Sequence, residues 1–216
     1  MSEKIDDNEV KNVEESKLLY TQGKLAMNNK DYNTMKKFFN QVIELYKNSS
    51  AMNDLAFYHQ YIERDVEKVV QYYTMSIDQG NVNACYNLGC FYHEQKDSVN
   101  KLRYFTLASE RGDVRAHFGL GIYYEEDDNE DQSYKYYVLA ANAGLAKAHT
   151  AIGDYWLKKG NFIQAKNEYF EALRGGDYDA ARRLSCKKIT LTSDERKELF
   201  SSFSKNWKLE TGKINK

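Results

Sequence analysis

Four histidines, three cysteines and one dense acidic run carry most of the reactive chemistry in this sequence. There is no H-E-x-x-H, no C-x-x-C and no G-x-G-x-x-G among them, so neither a zinc-hydrolase helix nor a dinucleotide turn is written here. His117 and His149 stand 32 residues apart. On neighbouring packed helices, about 8–10 Å apart, they cannot both reach one ion at about 2 Å. The pair Cys90 and His93 is closer to chemistry, because residues three apart share a helix face. A thiol beside an imidazole, with Glu94 or Glu125 to orient it, is the nucleophile of a hydrolytic enzyme. That is the enzyme reading, and it lacks an oxyanion hole and a strand-to-helix elbow. The run EEDDNED at 125–131 lacks calcium-loop offsets and their central glycine, and reads as a solvated connection. The expectation is therefore no catalytic set, no cofactor and no metal.

The elements that must position these side chains are set by a repeat. Gly80, Gly112, Gly144 and Gly176 recur every 32 residues. In phase with them run Ala84, Ala116, Ala148 and Ala180, then Leu88, Leu120, Ile152 and Leu184, and Tyr73, Phe105, Tyr137 and Tyr169. Gly89, Gly121 and Gly153 make a fifth column, and Tyr92, Tyr124 and Trp156 a sixth. With Ala84 as position 1, positions 1, 5 and 9 fall within about 80° on a helix and form one buried stripe. Glycine at position 6 marks a close approach of the paired helix, and the closing glycine suits the left-handed residue after a helix. The unit is a helical hairpin whose apolar faces are hidden only by stacking on its neighbours.

ACYNLGCFY at 84–92, AHFGLGIYY at 116–124 and AHTAIGDYW at 148–156 resemble the first helices of Sel-one-like repeats, a branch of the tetratricopeptide superfamily. YYTMSIDQG at 72–80, YFTLASERG at 104–112 and YYVLAANAG at 136–144 resemble their second helices. The resemblance covers residues 50–188 and, more loosely, 16–48. It implies an all-α, right-handed α/α superhelix, a solenoid of tetratricopeptide-like hairpins, and a non-enzymatic scaffold or adaptor. Connections here are shorter than in the family, proline is absent, and Ser76-Ile77 replaces an alanine pair. The Asn-, Lys-, Tyr- and Ile-rich composition resembles that of repeat proteins of giant viruses of amoebae.

Along the chain, residues 1–11 are expected to be disordered, and 12–188 to form five hairpins, at 13–47, 51–80, 84–112, 116–144 and 148–176, plus a first helix at 179–188. The interval from Ala51 to Ala84 is 33 residues, one more than elsewhere. A capping box, Thr192 with Glu195, opens a capping helix over 192–208, whose apolar face joins Leu199, Phe203 and Trp207 with Phe200 beside them. Residues 209–216 read as a flexible tail.

In superhelices of this kind the first helices line the concave groove. Positions 3, 7 and 10 cluster near 200° from the buried stripe. These positions assign a protein or peptide partner to Asn53, Phe57, Tyr86, Cys90, His93, Phe118, Ile122, Glu125, Thr150 and Asp154.

Bulk properties exclude other classes. The chain has 42% hydrophobic and 29% charged residues and a formal net charge of −1, which gives no drive toward nucleic acid or anionic membrane. No apolar run reaches the length of a membrane span. The start, MSEKIDDNEV, has no signal-peptide core, and three cysteines make no disulfide framework, so the expected site is the cytoplasm, of a host if the protein is viral. Basic residues at the C-terminal end, Arg182, Arg183, Lys187, Lys188, Arg196, Lys197, Lys205 and Lys208, belong to no groove-entering module. Opposed to the acidic start, they favour weak head-to-tail self-association.

Overall fold

Each hairpin turn is built from two residues of fixed chemistry. A left-handed residue leaves the first helix: Lys30, Arg64, Lys96, Asp128 or Gly160, with φ of 59°, 56°, 59°, 52° and 76°. An Asp or Asn follows at once, and its carboxylate or amide oxygen accepts from the backbone N–H three residues on, as Asp31 does from Thr34 (3.1 Å) and Asn161 from Gln164 (3.1 Å). Between hairpins the left-handed residue is Lys47 (φ 51°) after the first and glycine after the others, at Gly80, Gly112, Gly144 and Gly176.

The computed structural model describes residues 7–186 and 188–202 and is all-α among them. It divides after Asp113 into two compact units. The first holds α1 (Asp7–Asn28) and α2 (Tyr32–Tyr46), α3 (Ser49–Tyr58) and α4 (Val66–Asp78), and α5 (Val82–Glu94) and α6 (Ser98–Glu110). The second holds α7 (Val114–Glu126) and α8 (Glu130–Asn142), α9 (Ala146–Lys158) and α10 (Phe162–Arg174), then α11 (Asp179–Leu184) and α12 over 193–202. Helix α3 runs directly into a π-helical turn, His59–Glu63, which absorbs the extra residue of this hairpin.

In four of these five hairpins an aromatic ring from the second helix lies on a glycine of the first; in the α3/α4 hairpin that position is the buried Ala56. Phe39 covers Gly23, Phe105 covers Gly89, Tyr137 covers Gly121 and Tyr169 covers Gly153. Beside that contact, position 9 stacks on the second helix with nearly parallel rings: His59 on Tyr72, Tyr92 on Tyr104 and Tyr124 on Tyr136, with centroids 5.4–5.5 Å apart.

Three expectations at the ends are corrected. Residues 7–11 are helical, because α1 begins at Asp7, whereas 1–6 lie outside the described residues. Helix α11 stops at Leu184, followed by a turn rather than helix to 188. Thr192 and Glu195 do form the capping box, with bonds of 2.7 and 3.3 Å, and Leu199 is buried, but Phe200 faces solvent. Phe203, Trp207, the tail at 209–216, and Lys187, Lys205 and Lys208 lie outside the described residues.

Candidate partner-binding surface

The groove positions divide by what their own hairpin does with them. Position 3 leans onto the second helix: Tyr86 stacks on Phe105 (5.6 Å, 25°) and Phe118 packs on Tyr137 (5.4 Å, 45°), as Tyr20 does on Phe39. Both Tyr86 and Phe118 are half-buried, and Lys147 lies over the Phe118 ring at 5.7 Å. Thr150, in the same column, is only 7% exposed, and its hydroxyl donates to Asp177 at 2.6 Å. It is therefore withdrawn from any exposed groove, because a short side chain there reaches Asp177 in the turn before α11.

The acids are also engaged. Glu125 accepts from the Tyr137 hydroxyl (2.6 Å), and Asp154 accepts from the Tyr169 hydroxyl (2.7 Å) and from Arg183 in a two-pronged pair (2.8 and 2.9 Å). Burial first, and then the facing carboxylate, push the Tyr137 and Tyr169 hydroxyls far above the ordinary phenol range. These bonds pin the far ends of the rings that cover Gly121 and Gly153. Glu125, Asp128, Tyr137, Asp154, Tyr155 and Lys158 border a cleft of about 240 Å³ in the second unit. Glu130, which closes one side, is bridged by Lys158 and Lys159 (2.5 Å each), which pull its carboxyl down to about 2.

What stays open is smaller. Phe57 is 44% exposed and Ile122 36%; His93 faces solvent, and Cys90 is half-buried beside Tyr61 and Tyr73. Asn53 accepts from Asn87 at 2.9 Å, so it is half-buried in a bond between neighbouring first helices. Among the described residues no three His, Cys, Asp or Glu side chains gather as metal ligands.

Of the exposed aromatic pair on this face, Phe57 was singled out from the sequence and Tyr61 was not. The π-helical turn presents Tyr61 (47% exposed) and Ile62 (51%), and the Phe57 and Tyr61 rings are 4.6 Å apart. Tyr61 donates to Glu94 Oε1 (3.1 Å), and Gln60 donates to Glu94 Oε2 (3.0 Å). The interval of 33 residues between Ala51 and Ala84 was its one trace in the sequence.

Comparison with solved structures places this arrangement. The chain is similar to the Sel1 repeat protein from Oxalobacter formigenes, with a TM-score of 0.68 and 19% identity over 87% of this chain and 84% of that one. The fold is that of a tetratricopeptide-like helical repeat. The same fold is seen in PilF of Pseudomonas aeruginosa, with a TM-score of 0.64 and 18% identity over 93% of this chain and 94% of that one. It is seen again in YrrB, described as a TPR protein with an unusual peptide-binding site, with a TM-score of 0.53 and 17% identity over 76% and 89% of the two chains. A tetratricopeptide repeat model matches residues 16–49, which span the end of α1 and all of α2. Comparison with curated protein sequences finds no match. Among the described residues of this tetratricopeptide-like chain, no helix is long and apolar enough to cross a membrane.

Proposed function

We propose that this protein is a non-enzymatic scaffold or adaptor that holds a protein or peptide segment against the first-helix face of its hairpins. The observation that carries the reading is the exposed aromatic pair in the first unit, where the Phe57 and Tyr61 rings lie 4.6 Å apart with the exposed Ile62 following in the same turn. Solitary exposed apolar residues need no explanation, but a contiguous aromatic group of this kind is the usual centre of an interface. In the second unit, Ile122 offers a further contact on the equivalent helix face. Of the remaining groove residues, Tyr86, Cys90 and His93 flank the first group, while Phe118, Glu125 and Asp154 act through the shape of the hairpins they stiffen.

The finer assignment is to the Sel-one-like branch, which the A-x-x-x-L-G-x-x-Y signature and the likeness to a Sel1 repeat protein support. A cytoplasmic setting, a host cytoplasm if the chain is viral, is supported by three free cysteines. Weak self-association is supported by the basic residues Arg182, Arg183, Arg196 and Lys197 set against an acidic start.

Selection of displayed peptides on the intact protein tests the central reading. Enriched peptides are expected to bind the wild type and a Cys90→Ala variant equally, and to lose binding to Phe57→Ser. Failure to enrich any sequence, or equal binding to Phe57→Ser, contradicts the proposed face. Loss on Cys90→Ala together with peptide cleavage favours the enzyme reading instead.

A further inference from the structure

We infer that Phe57, Tyr61 and Glu94 form a site for an arginine side chain of the bound protein segment. The inference rests on the partner-binding reading above and adds the chemistry of what is recognised. Phe57 and Tyr61 are one helical turn apart, and both rings are close to half exposed, so an aromatic surface is open to solvent. Such a face attracts a cation through the ring quadrupole.

Glu94 supplies the charge. Its two oxygens are held by neutral donors only, the Tyr61 hydroxyl on Oε1 and the Gln60 amide on Oε2. Two other carboxylates of this unit that make contacts between helices are compensated by cations: Asp54 by Lys24 (3.0 Å) and Glu63 by Lys36 (2.9 Å). Among the described residues no cation lies within 4.0 Å of Glu94. Each of its oxygens has accepted one hydrogen bond and retains a lone pair.

The site is also built in advance. The Tyr73 hydroxyl, on a ring that is almost wholly buried, donates to Gln60 Oε1 at 3.1 Å. That bond fixes which end of the Gln60 amide faces Glu94, and so sets the carboxylate before any ligand arrives. Among the described hairpins this one alone has the extra residue, and the π-helical turn it creates brings Tyr61 next to Phe57 and onto Glu94 of the following hairpin. A guanidinium suits this surface better than an ammonium, since it is planar, stacks on rings and gives two parallel N–H groups to a carboxylate.

The probe is an array of immobilised nonapeptides with randomised flanks and a central Arg, Lys, citrulline, norleucine or Glu, read with the full-length protein. Citrulline keeps the shape of arginine and removes its charge. Arginine peptides are expected to bind about fivefold better than their citrulline partners, with lysine between, and the preference is expected to shrink with added salt. Glu94→Gln, whose amide oxygen still accepts from Gln60 while its N–H faces the Tyr61 hydroxyl oxygen, is expected to erase the preference with little change in the thermal melt. Phe57→Ala, an exposed site, is expected to weaken all peptides. Binding without a preference for positive charge, or a preference that survives Glu94→Gln, overturns this inference and leaves the scaffold reading standing. Absence of binding by any peptide overturns both.

Discussion

Replacing Gly121 by alanine tests the packing rule shared by the four hairpins that carry this glycine. A Cβ at this position falls 2.4 Å from both Cδ1 and Cε1 of Tyr137 and 3.1 Å from its Cγ. The ring cannot step aside: it is 3% exposed, Phe118 packs on it at 5.4 Å, and its hydroxyl is tied to Glu125 at 2.6 Å. Overpacking of this kind costs typically 1–3 kcal/mol, and an overlap this deep belongs at about 3. Alanine in mid-helix returns about 1 kcal/mol of propensity, leaving a net loss of about 2 kcal/mol. For a unit of this size that lowers the melting temperature by about 8 °C. The assay is helical circular dichroism on heating, repeated in a Tyr137→Ala background where the clash is gone. A Gly121→Ala protein that melts at or above the wild type refutes the reasoning, as does a penalty of equal size in both backgrounds.

Other perturbations follow from the same contacts. His59 is buried between Tyr58 and Tyr72, and its Nδ1 lies 2.9 Å from Glu63 Oε2 but outside hydrogen-bonding geometry. Burial pushes its imidazole below the ordinary range, against the opposing pull of Glu63 and Asp65 and with the help of Lys68. Its contribution to stability is thus complete above the unfolded value of about 6.5 and is lost as pH falls below it. His59→Tyr, the residue used in the later hairpins, is expected to flatten the decline in melting temperature between about pH 7 and 5; an unchanged slope assigns that decline elsewhere. Asp154→Ala strands the buried Tyr169 hydroxyl and is expected to cost about 1–3 kcal/mol in urea unfolding, whereas Asp154→Asn keeps an acceptor and costs less. Lys96→Gly relieves a left-handed residue at φ 59° and is expected to stabilise by about 0.5–1 kcal/mol, with a lower melting temperature as the contrary result.

The fold class was legible because glycine and aromatic columns are direct records of a contact: Gly89, Gly121 and Gly153 recur only because a ring sits on each. The first hairpin, whose columns are the most worn, is the one that a tetratricopeptide repeat model matches, at residues 16–49. The surface was less legible. A helical wheel sets Tyr86, Phe118 and Thr150 opposite the buried stripe, yet it carries no information on the neighbouring helix, onto which these side chains lean. Charge gave the same difficulty, since Glu125 and Asp154 are acceptors for tyrosines more than a helical turn away in sequence. The exposed group at Phe57, Tyr61 and Ile62 depends on a π-helical turn, and one surplus residue in a 32-residue period says that something is inserted but not where its side chains point.

Hydrogen–deuterium exchange of the full-length protein, with and without an arginine nonapeptide selected on it, tests the central claim most directly. Binding on the first-helix face is expected to slow exchange over 53–63 and 86–94, and to leave the second helices α4 and α6 unchanged. Slowed exchange confined to α4 and α6, or to the termini, contradicts the account and places the partner on the opposite face.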